Sequence, residues 1–197
     1  MANKFLIFFI ELLKTVAIVF VLAFIIRYFV IQPFVIEGNS MEPDFHDRQL
    51  ILINKLSYRI HNPNRGDVIV FESPQNHSIY YIKRIIGIPG DEIQLKEGDV
   101  YLNGEKIDEP YLSLGQKTTA DTSATGTLDV TVGRDQFFVM GDNRDQSSDS
   151  REWGLLDKNL ISGKFLVVIY PRDSWYSQAN QNASEFSQLK YQHSSQS

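Results

Sequence analysis

Two residues of the sequence, Ser40 and Lys83, have the chemical types needed for nucleophilic catalysis. Ser40 lies in the stretch 36–43, IEGNSMEP, whose glycine, asparagine and proline favour a turn that exposes the hydroxyl. Lys83 lies in the stretch 80–87, YYIKRIIG. A serine hydroxyl becomes a good nucleophile when a base takes its proton, and a neutral amine can be that base. The two residues are therefore candidates for a catalytic pair.

Lys83 needs an unusual environment for this role. An ordinary lysine pKa lies near 10.4, so nearly all of the amine is charged at neutral pH. Removal from water disfavours the charge and lowers the pKa, and apolar and aromatic residues flank Lys83 on both sides. Side chains alternate along a strand, so Lys83 and Arg84 should point to opposite faces. Two simpler interpretations stay open: Ser40 as a turn residue or helix cap, and Lys83 as an edge-strand lysine that discourages aggregation.

Other residue types offer no better base or nucleophile. The four histidines lie in polar surroundings that indicate surface positions: His46, His61, His77 and His193. The absence of cysteine excludes a cysteine nucleophile, a thiolate zinc site and disulfides. Lysine is therefore the better partner for a serine nucleophile.

An acidic stretch, residues 141–151 (GDNRDQSSDSR), invites a calcium-site interpretation. Its spacing differs from the Asp-x-Asp-x-Asp-Gly loop that ends in glutamate, and two arginines stand among the candidate ligands. The pattern favours a solvated or ion-paired structural loop. We expect neither a metal nor a cofactor.

The first part of the chain is compositionally distinct. Residues 15–26 read TVAIVFVLAFII, and spanning a bilayer takes roughly 20 residues, so we predict a transmembrane anchor over 12–31. A buried core helix and a cleaved signal peptide are the alternatives, but the small-residue cleavage pattern of a signal peptide is absent. Positive charges favour the N-terminal side, which predicts a short cytoplasmic N-terminus over residues 1–11.

The rest of the chain predicts a mostly β fold, an antiparallel β-rich domain over residues 32–176 outside the cytoplasm. Short apolar runs alternate with turn signals such as Asn103-Gly104, a pair typical of a tight hairpin. The runs are LILINKL, DVIVFE, YYIKRIIGI, EIQL, DVYL, DVTV, QFFVMG and KFLVVIYP. We expect a loop over residues 113–127 and a disordered polar tail over 177–197.

Length and charge bound the remaining possibilities. The 197 residues suffice for one ordinary domain and an appendage. A net charge of −5 gives no basic surface for a phosphate backbone, so nucleic acid is not an expected partner.

Four ordered blocks make the sequence resemble the bacterial type I signal peptidases, which are membrane-bound serine proteases with a Ser-Lys pair. The blocks are residues 38–43 (GNSMEP), 65–71 (RGDVIVF), 81–91 (YIKRIIGIPGD) and 141–151, of which GDN and SSDSR match. A lone S-M-x-P motif would be weak, but four blocks in the family order are specific. The compact chain with one anchor resembles the Gram-positive forms.

The resemblance implies roles for individual residues. Ser40 matches the nucleophile and Lys83 the general base. Ser147 matches a hydroxyl that orients the lysine. Asp149 and Arg151 match a structural part of the last block, and Arg84 is expected to pair with Asp149 from the face opposite Lys83.

The resemblance also implies a substrate and a place in the cell. The residues expected to contact an extended substrate are Phe34, Ile36, Met41, Tyr81 and Ile82. The substrates would be exported preproteins cut after an Ala-x-Ala site, at the outer face of the plasma membrane, with the lipid bilayer as a second partner. The sequence does not indicate an oligomeric state.

Gly38 departs from one pattern in the family. Some members have a serine here, whose hydroxyl supplies part of the oxyanion hole. Gly38 has no hydroxyl, so the backbone N–H of Ser40 is the best candidate donor.

Two other functions remain open for the sequence alone. One is a non-catalytic relative that binds or assembles exported subunits, although the presence of both Ser40 and Lys83 disfavours it. The other is a Ser-Lys protease that processes a narrow partner or itself, as self-cleaving repressors do, although the anchor disfavours this.

Overall fold

The computed structural model describes residues 2–120 and 127–170. The helices are α1 Ala2–Phe29, α2 Ser57–Ile60 and α3 Ser150–Trp153, with 3-10 turns at Arg144–Gln146 and Lys158–Leu160. The strands are β1 Ile31–Val35, β2 Leu50–Asn54, β3 Val68–Glu72, β4 Tyr80–Gly87, β5 Glu92–Lys96, β6 Asp99–Leu102, β7 Glu105–Lys106, β8 Leu128–Thr131, β9 Gln136–Met140, β10 Leu156–Asp157 and β11 Ile161–Tyr170.

Helix α1 carries the apolar N-terminal segment. Its stretch Lys4–Phe24 is long and apolar enough to cross a membrane, and none of that stretch is buried in the protein. The helix begins well before residue 12, because apolar residues such as Phe5 and Ile7 continue the pattern toward the N-terminus. The boundaries 1–11 and 12–31 stay predictions.

Seven strands form the larger sheet, in the order β1-β2-β11-β3-β4-β9-β10. All strand pairs in both sheets of the described chain are antiparallel, which confirms the predicted fold class. Each apolar run predicted as a strand forms one. Strand β1 was not predicted, because its Pro33 has no N–H to donate to a neighbouring strand. The proline is tolerated because β1 lies at the edge of the sheet.

The smaller sheet has the order β7-β6-β5-β8 and is inserted between β4 and β9, which are neighbours in the larger sheet. The predicted hairpin is present between β6 and β7. Its two loop residues, Asn103 and Gly104, have φ of 53° and 86°, as a tight primed turn requires. One hydrophobic cluster joins the two sheets, since Ile86 and Met140 of the larger sheet pack with Ile93 of the smaller one.

Some sequence predictions fall on parts of the chain that the structure does not cover. The tail prediction for 177–197 and residues 121–126 of the predicted 113–127 loop lie outside the described residues. Residues 113–120 contain no regular helix or strand, as expected for a loop.

Candidate active site

The structure brings Ser40 and Lys83 into direct contact. Ser40 lies in the loop between β1 and β2, and Lys83 lies in the middle of β4. The Lys83 Nζ donates a hydrogen bond to Ser40 Oγ at 2.7 Å. The contact joins residues that are 43 positions apart in the chain, so the fold itself assembles the pair.

The environment of Lys83 favours its neutral form. The residue is only 3% exposed, and burial lowers the pKa of its amine to about 8. The carboxylates of Asp149 and Asp142 oppose this by raising the pKa, and the charge of Arg151 lowers it. Because the burial effect is the largest, about half of the amine is neutral near pH 8.

The turn that carries Ser40 is anchored on both sides. Gly38 adopts a φ of 89° and donates its N–H to Asp47 Oδ1 at 2.8 Å. Met41, one residue after Ser40, is 1% exposed and packs in the core. Met41 does not line the cleft beside Ser40 that is described below, and its expected contact with substrate stays a prediction.

The 141–143 segment packs directly on this turn. Asn143 donates from its backbone N–H to Ser40 O at 3.0 Å, and from Nδ2 to Asn39 O at 3.1 Å. A Cβ at Gly141 would overlap Ser40 O and Ser147 Oγ. Only glycine permits this approach, and the sequence reasoning assigned no role to Gly141 or Asn143. The signal that the sequence offered was the Gly-Asp-Asn run at the start of the fourth block.

Arg84 does not pair with Asp149, contrary to the expectation. It points to the face opposite Lys83, as predicted, but there it donates two hydrogen bonds to Asp142, at 2.8 and 2.6 Å. A further bond of 3.0 Å runs to Asp44, four residues after Ser40. The expectation was wrong because alternation along β4 gives the direction of a side chain but not which acidic residue the loops bring to it.

Asp149 and Arg151 form a buried pair of their own. Asp149 is 0% exposed and accepts hydrogen bonds from Arg151 Nε at 2.8 Å and from the Gly141 N–H at 3.0 Å. Asp149 also caps α3 by accepting from the Arg151 N–H. The pair therefore fixes Gly141, which in turn contacts the Ser40 turn. The acidic stretch is an ion-paired structural loop, one of the two forms that its sequence favoured.

Ser147 lies beside Gly141, and its expected contact with Lys83 stays a prediction. The side chain is buried against Gly141, and its hydroxyl has no hydrogen-bond partner among the described residues. A hydroxyl in this position is available to reorient toward an amine or a substrate group.

Four of the five residues expected to contact substrate line one small cleft with Ser40 and Lys83: Phe34, Ile36, Tyr81 and Ile82. The cleft has a volume of about 50 Å³. Val35 and Tyr80 also line it and were not predicted; the Tyr80 ring lies 5.1 Å from that of Phe34. The histidines His46, His61 and His77 do not line this cleft, and His193 lies outside the described residues.

The backbone N–H of Ser40 is free to bind an anion. It makes no hydrogen bond to any group in the described part of the chain, and the space around Gly38 is open. The expected role of this N–H as an oxyanion donor stays a prediction.

Comparison with known proteins gives the same family over most of the sequence. Residues 9–170 match the family described as "Signal peptidase, peptidase S26". The chain is 43% identical to a signal peptidase I of Bacillus amyloliquefaciens over 162 residues, 80% of this chain and 86% of the relative. It is 35% identical to a signal peptidase IB of Staphylococcus aureus over 172 residues, which cover 82% and 89% of the two chains.

A solved structure is also similar. A crystal structure of a signal peptidase I from Enterococcus faecalis matches with 34% identity and a TM-score of 0.44, over 54% of this chain and 98% of that one.

Proposed function

This chain belongs to the S26 family of signal peptidases and is a serine peptidase, and we propose that it cleaves signal peptides from exported preproteins with Ser40 as nucleophile and Lys83 as general base. The single observation that carries the residue assignment is the 2.7 Å contact between Ser40 Oγ and a lysine amine whose burial lowers its pKa to about 8.

The chemistry follows from this contact. The neutral Lys83 amine takes the Ser40 proton while Oγ bonds to the scissile carbonyl carbon, and the N–H of Ser40 stabilises the oxyanion. The resulting ammonium gives the proton to the leaving amine, which becomes the new N-terminus of the mature protein. Water then attacks the acyl-enzyme, with Lys83 as base again, and the proton returns to Ser40. A signal peptide with a free carboxylate leaves.

The cleft supports a preference for small side chains near the cut. Bulky residues such as Phe34, Tyr81 and Ile82 wall the space beside Ser40. A substrate strand that lies along this wall leaves room for alanine but not for a large side chain at the positions directed into the cleft. This supports cleavage after Ala-x-Ala.

The position of the anchor supports a substrate that lies in a bilayer. Strand β1 begins at Ile31, directly after α1 ends at Phe29, so the cleft wall follows the apolar helix closely. At the rim of the cleft, Val35, Ile79 and Tyr80 are 57%, 45% and 44% exposed, which suits contact with lipid. We assign a single-pass plasma-membrane topology, with the N-terminus in the cytoplasm and the β domain on the outer face.

Cleavage of a preprotein tests the proposal. The purified protein in detergent is incubated with a preprotein whose signal ends in Ala-x-Ala, and the new N-terminus is sequenced. We expect one cut directly after that site, and no cut by Ser40→Ala, which removes one partly buried hydroxyl and no core volume. An inactive wild-type enzyme, or an active Ser40→Ala variant, would contradict the proposal.

A further inference from the structure

Residues 109–119, here called the bridging segment, contact three arginines behind the catalytic pair, of which Arg144 and Arg151 are buried and Arg84 is partly buried. The segment leaves the smaller sheet after β7 and has no helix or strand of its own. It meets Arg84 through Tyr111, Arg144 through Glu109 and Thr118, and Arg151 through the Thr119 carbonyl. The bridging segment itself lies outside all four signal-peptidase blocks.

The Tyr111 ring covers the Arg84 guanidinium. The Arg84 Cζ atom lies 4.2 Å from the ring centroid, a stacking distance. The Tyr111 hydroxyl donates to Glu109 Oε1 at 2.6 Å, and Glu109 pairs with Arg144. Burial raises the pKa of Tyr111 above its ordinary value, so the hydroxyl keeps its proton and this bond persists.

Arg84 connects the Tyr111 ring to the catalytic pair. It adjoins Lys83 in β4, and its guanidinium binds both Asp44 and Asp142. Asp44 belongs to the loop that carries Ser40, and Asp142 precedes the asparagine that holds the Ser40 carbonyl. Arg84 therefore ties the strand of the base to both segments that fix the nucleophile.

The other ties of the bridging segment hold the same loop. Arg144 Nε donates to Gly141 O at 3.1 Å, and Arg144 itself is held by Glu109. With its amide oriented to satisfy both groups, Gln116 donates to Asp142 O and accepts from the Arg144 N–H. The far end of the segment is fixed to the smaller sheet, because Thr118 donates its N–H to Gly98 O at 2.8 Å.

We propose that Tyr111 is a positioning residue for the Ser40–Lys83 pair and acts through Arg84. The ring restricts the guanidinium to the one orientation in which it bridges Asp44 and Asp142 at once. The smaller sheet then contributes to catalysis by holding the bridging segment against the side of the active site that faces away from the cleft. The proposal rests on the function proposed above.

Loss of the ring should affect turnover more than substrate binding. Tyr111 does not line the substrate cleft, so its removal leaves the binding walls unchanged. A looser Arg84 lets Lys83 and Ser40 drift apart, and small displacements of reacting groups cost large factors in rate. The pH profile should also change, because a displaced Arg84 leaves the Asp142 charge less neutralised, and that charge raises the pKa of Lys83. The other charges that act on Lys83, from Asp149 and Arg151, stay in place.

The test compares three variants of the full-length protein in detergent. Tyr111→Leu removes the ring, and Tyr111→Phe keeps the ring but removes the bond to Glu109. Tyr101→Leu is the matched control, because Tyr101 also stacks on a cation, with Lys96 Nζ 4.1 Å from its ring centroid, but on the smaller sheet. For each protein, kcat and KM on an Ala-x-Ala peptide are measured against pH, with the melting temperature.

We expect Tyr111→Leu to lose at least about tenfold in kcat, with KM within about twofold of wild type and the acid limb of kcat shifted to higher pH. Tyr111→Phe and Tyr101→Leu should behave like wild type. The proposal is overturned if Tyr111→Leu matches Tyr101→Leu, or if Tyr111→Phe is as impaired as Tyr111→Leu.

One further variant and one further measurement complete the test. Tyr111→Met fills the space with a flexible chain, and it decides the question by the same criteria if Tyr111→Leu does not fold. The rate at which a fluorophosphonate labels Ser40 measures the reactivity of the Ser40 hydroxyl without a peptide substrate. It should fall in Tyr111→Leu and stay normal in Tyr101→Leu, even if the wild type were to cleave no signal peptide and the proposed function failed.

Discussion

Lys83 and Arg84 are adjacent cations in one strand with opposite surroundings. Lys83 is buried beside the cleft, and among the described residues its amine meets a hydroxyl and no carboxylate at hydrogen-bond distance. Arg84 points the other way and is bound by two carboxylates. A guanidinium keeps its charge throughout the physiological range, whereas an amine can lose its proton when it is desolvated. In the proposed mechanism the two residues therefore have different roles: Lys83 transfers the proton and Arg84 holds the segments of the site together.

The buried lysine should make the folded protein less stable at neutral pH. Its pKa is lowered from 10.5 to about 8, so the unfolded chain binds more protons between these values, and stability rises with pH through this window. Below pH 8 the cost of the buried charge is about 3 kcal/mol. We expect Lys83→Met to raise the free energy of unfolding at pH 7 by up to this amount, and the gain to vanish above about pH 10.5. Urea unfolding at pH 7 and pH 10.5 measures this; an equal gain at both values would show that the effect is only packing.

At the scale of elements, the site depends on close approaches between segments that are distant in sequence. The sequence predicted the strands, because their apolar runs and turn signals are local. It predicted Ser40 and Lys83 through their motifs. It could not predict that Arg84 meets Asp142 instead of Asp149, nor that the bridging segment reaches the buried arginines, because these contacts depend on how loops pack after the sheets have formed. Strand β1 was also missed, because it contains Pro33 and only the order of the whole sheet shows that β1 is an edge strand.

Gly141→Ala tests the contact between two of these segments. The added methyl group would overlap Ser40 O and Ser147 Oγ, so the 141–143 segment must move away from the turn. We expect kcat/KM to fall by about 100-fold or more while the circular dichroism spectrum stays folded.

Gly133→Ala is the matched control for this variant. A methyl group there meets only the flexible end of the Gln136 side chain, which can move aside. Its kcat/KM should stay close to that of wild type. A Gly141→Ala enzyme with equal activity would show that the close approach is not needed for catalysis.

At the scale of the whole molecule, helix α1 and the β domain are joined by continuity of the chain more than by packing. The apolar stretch Lys4–Phe24 of α1 is unburied, while Ile51 and Ile53 in β2 are 0% exposed. The fold of the β domain should therefore not depend on α1, and the helix should serve to bring the cleft to substrates in the bilayer.

Removal of residues 2–29 separates these contributions. Because α1 buries nothing in the Lys4–Phe24 stretch, we expect the melting temperature and the kcat/KM on a short soluble peptide to change little. Cleavage of a preprotein inserted in lipid vesicles should fall, because the enzyme and substrate no longer share a surface. Equal loss on the soluble peptide and on the preprotein would show that α1 supports the fold or the site directly.

The pH dependence of kcat/KM for wild type and Lys83→Arg tests the central claim, that a neutral Lys83 is the base for Ser40. With an Ala-x-Ala peptide, wild-type kcat/KM should rise with pH along a curve whose apparent pKa is about 8, as the buried amine loses its proton. Lys83→Arg keeps the positive charge but cannot deprotonate in this range, so it should be inactive at every pH. A substantially active Lys83→Arg enzyme, or a wild-type profile that is flat between about pH 7 and 9, would contradict the account.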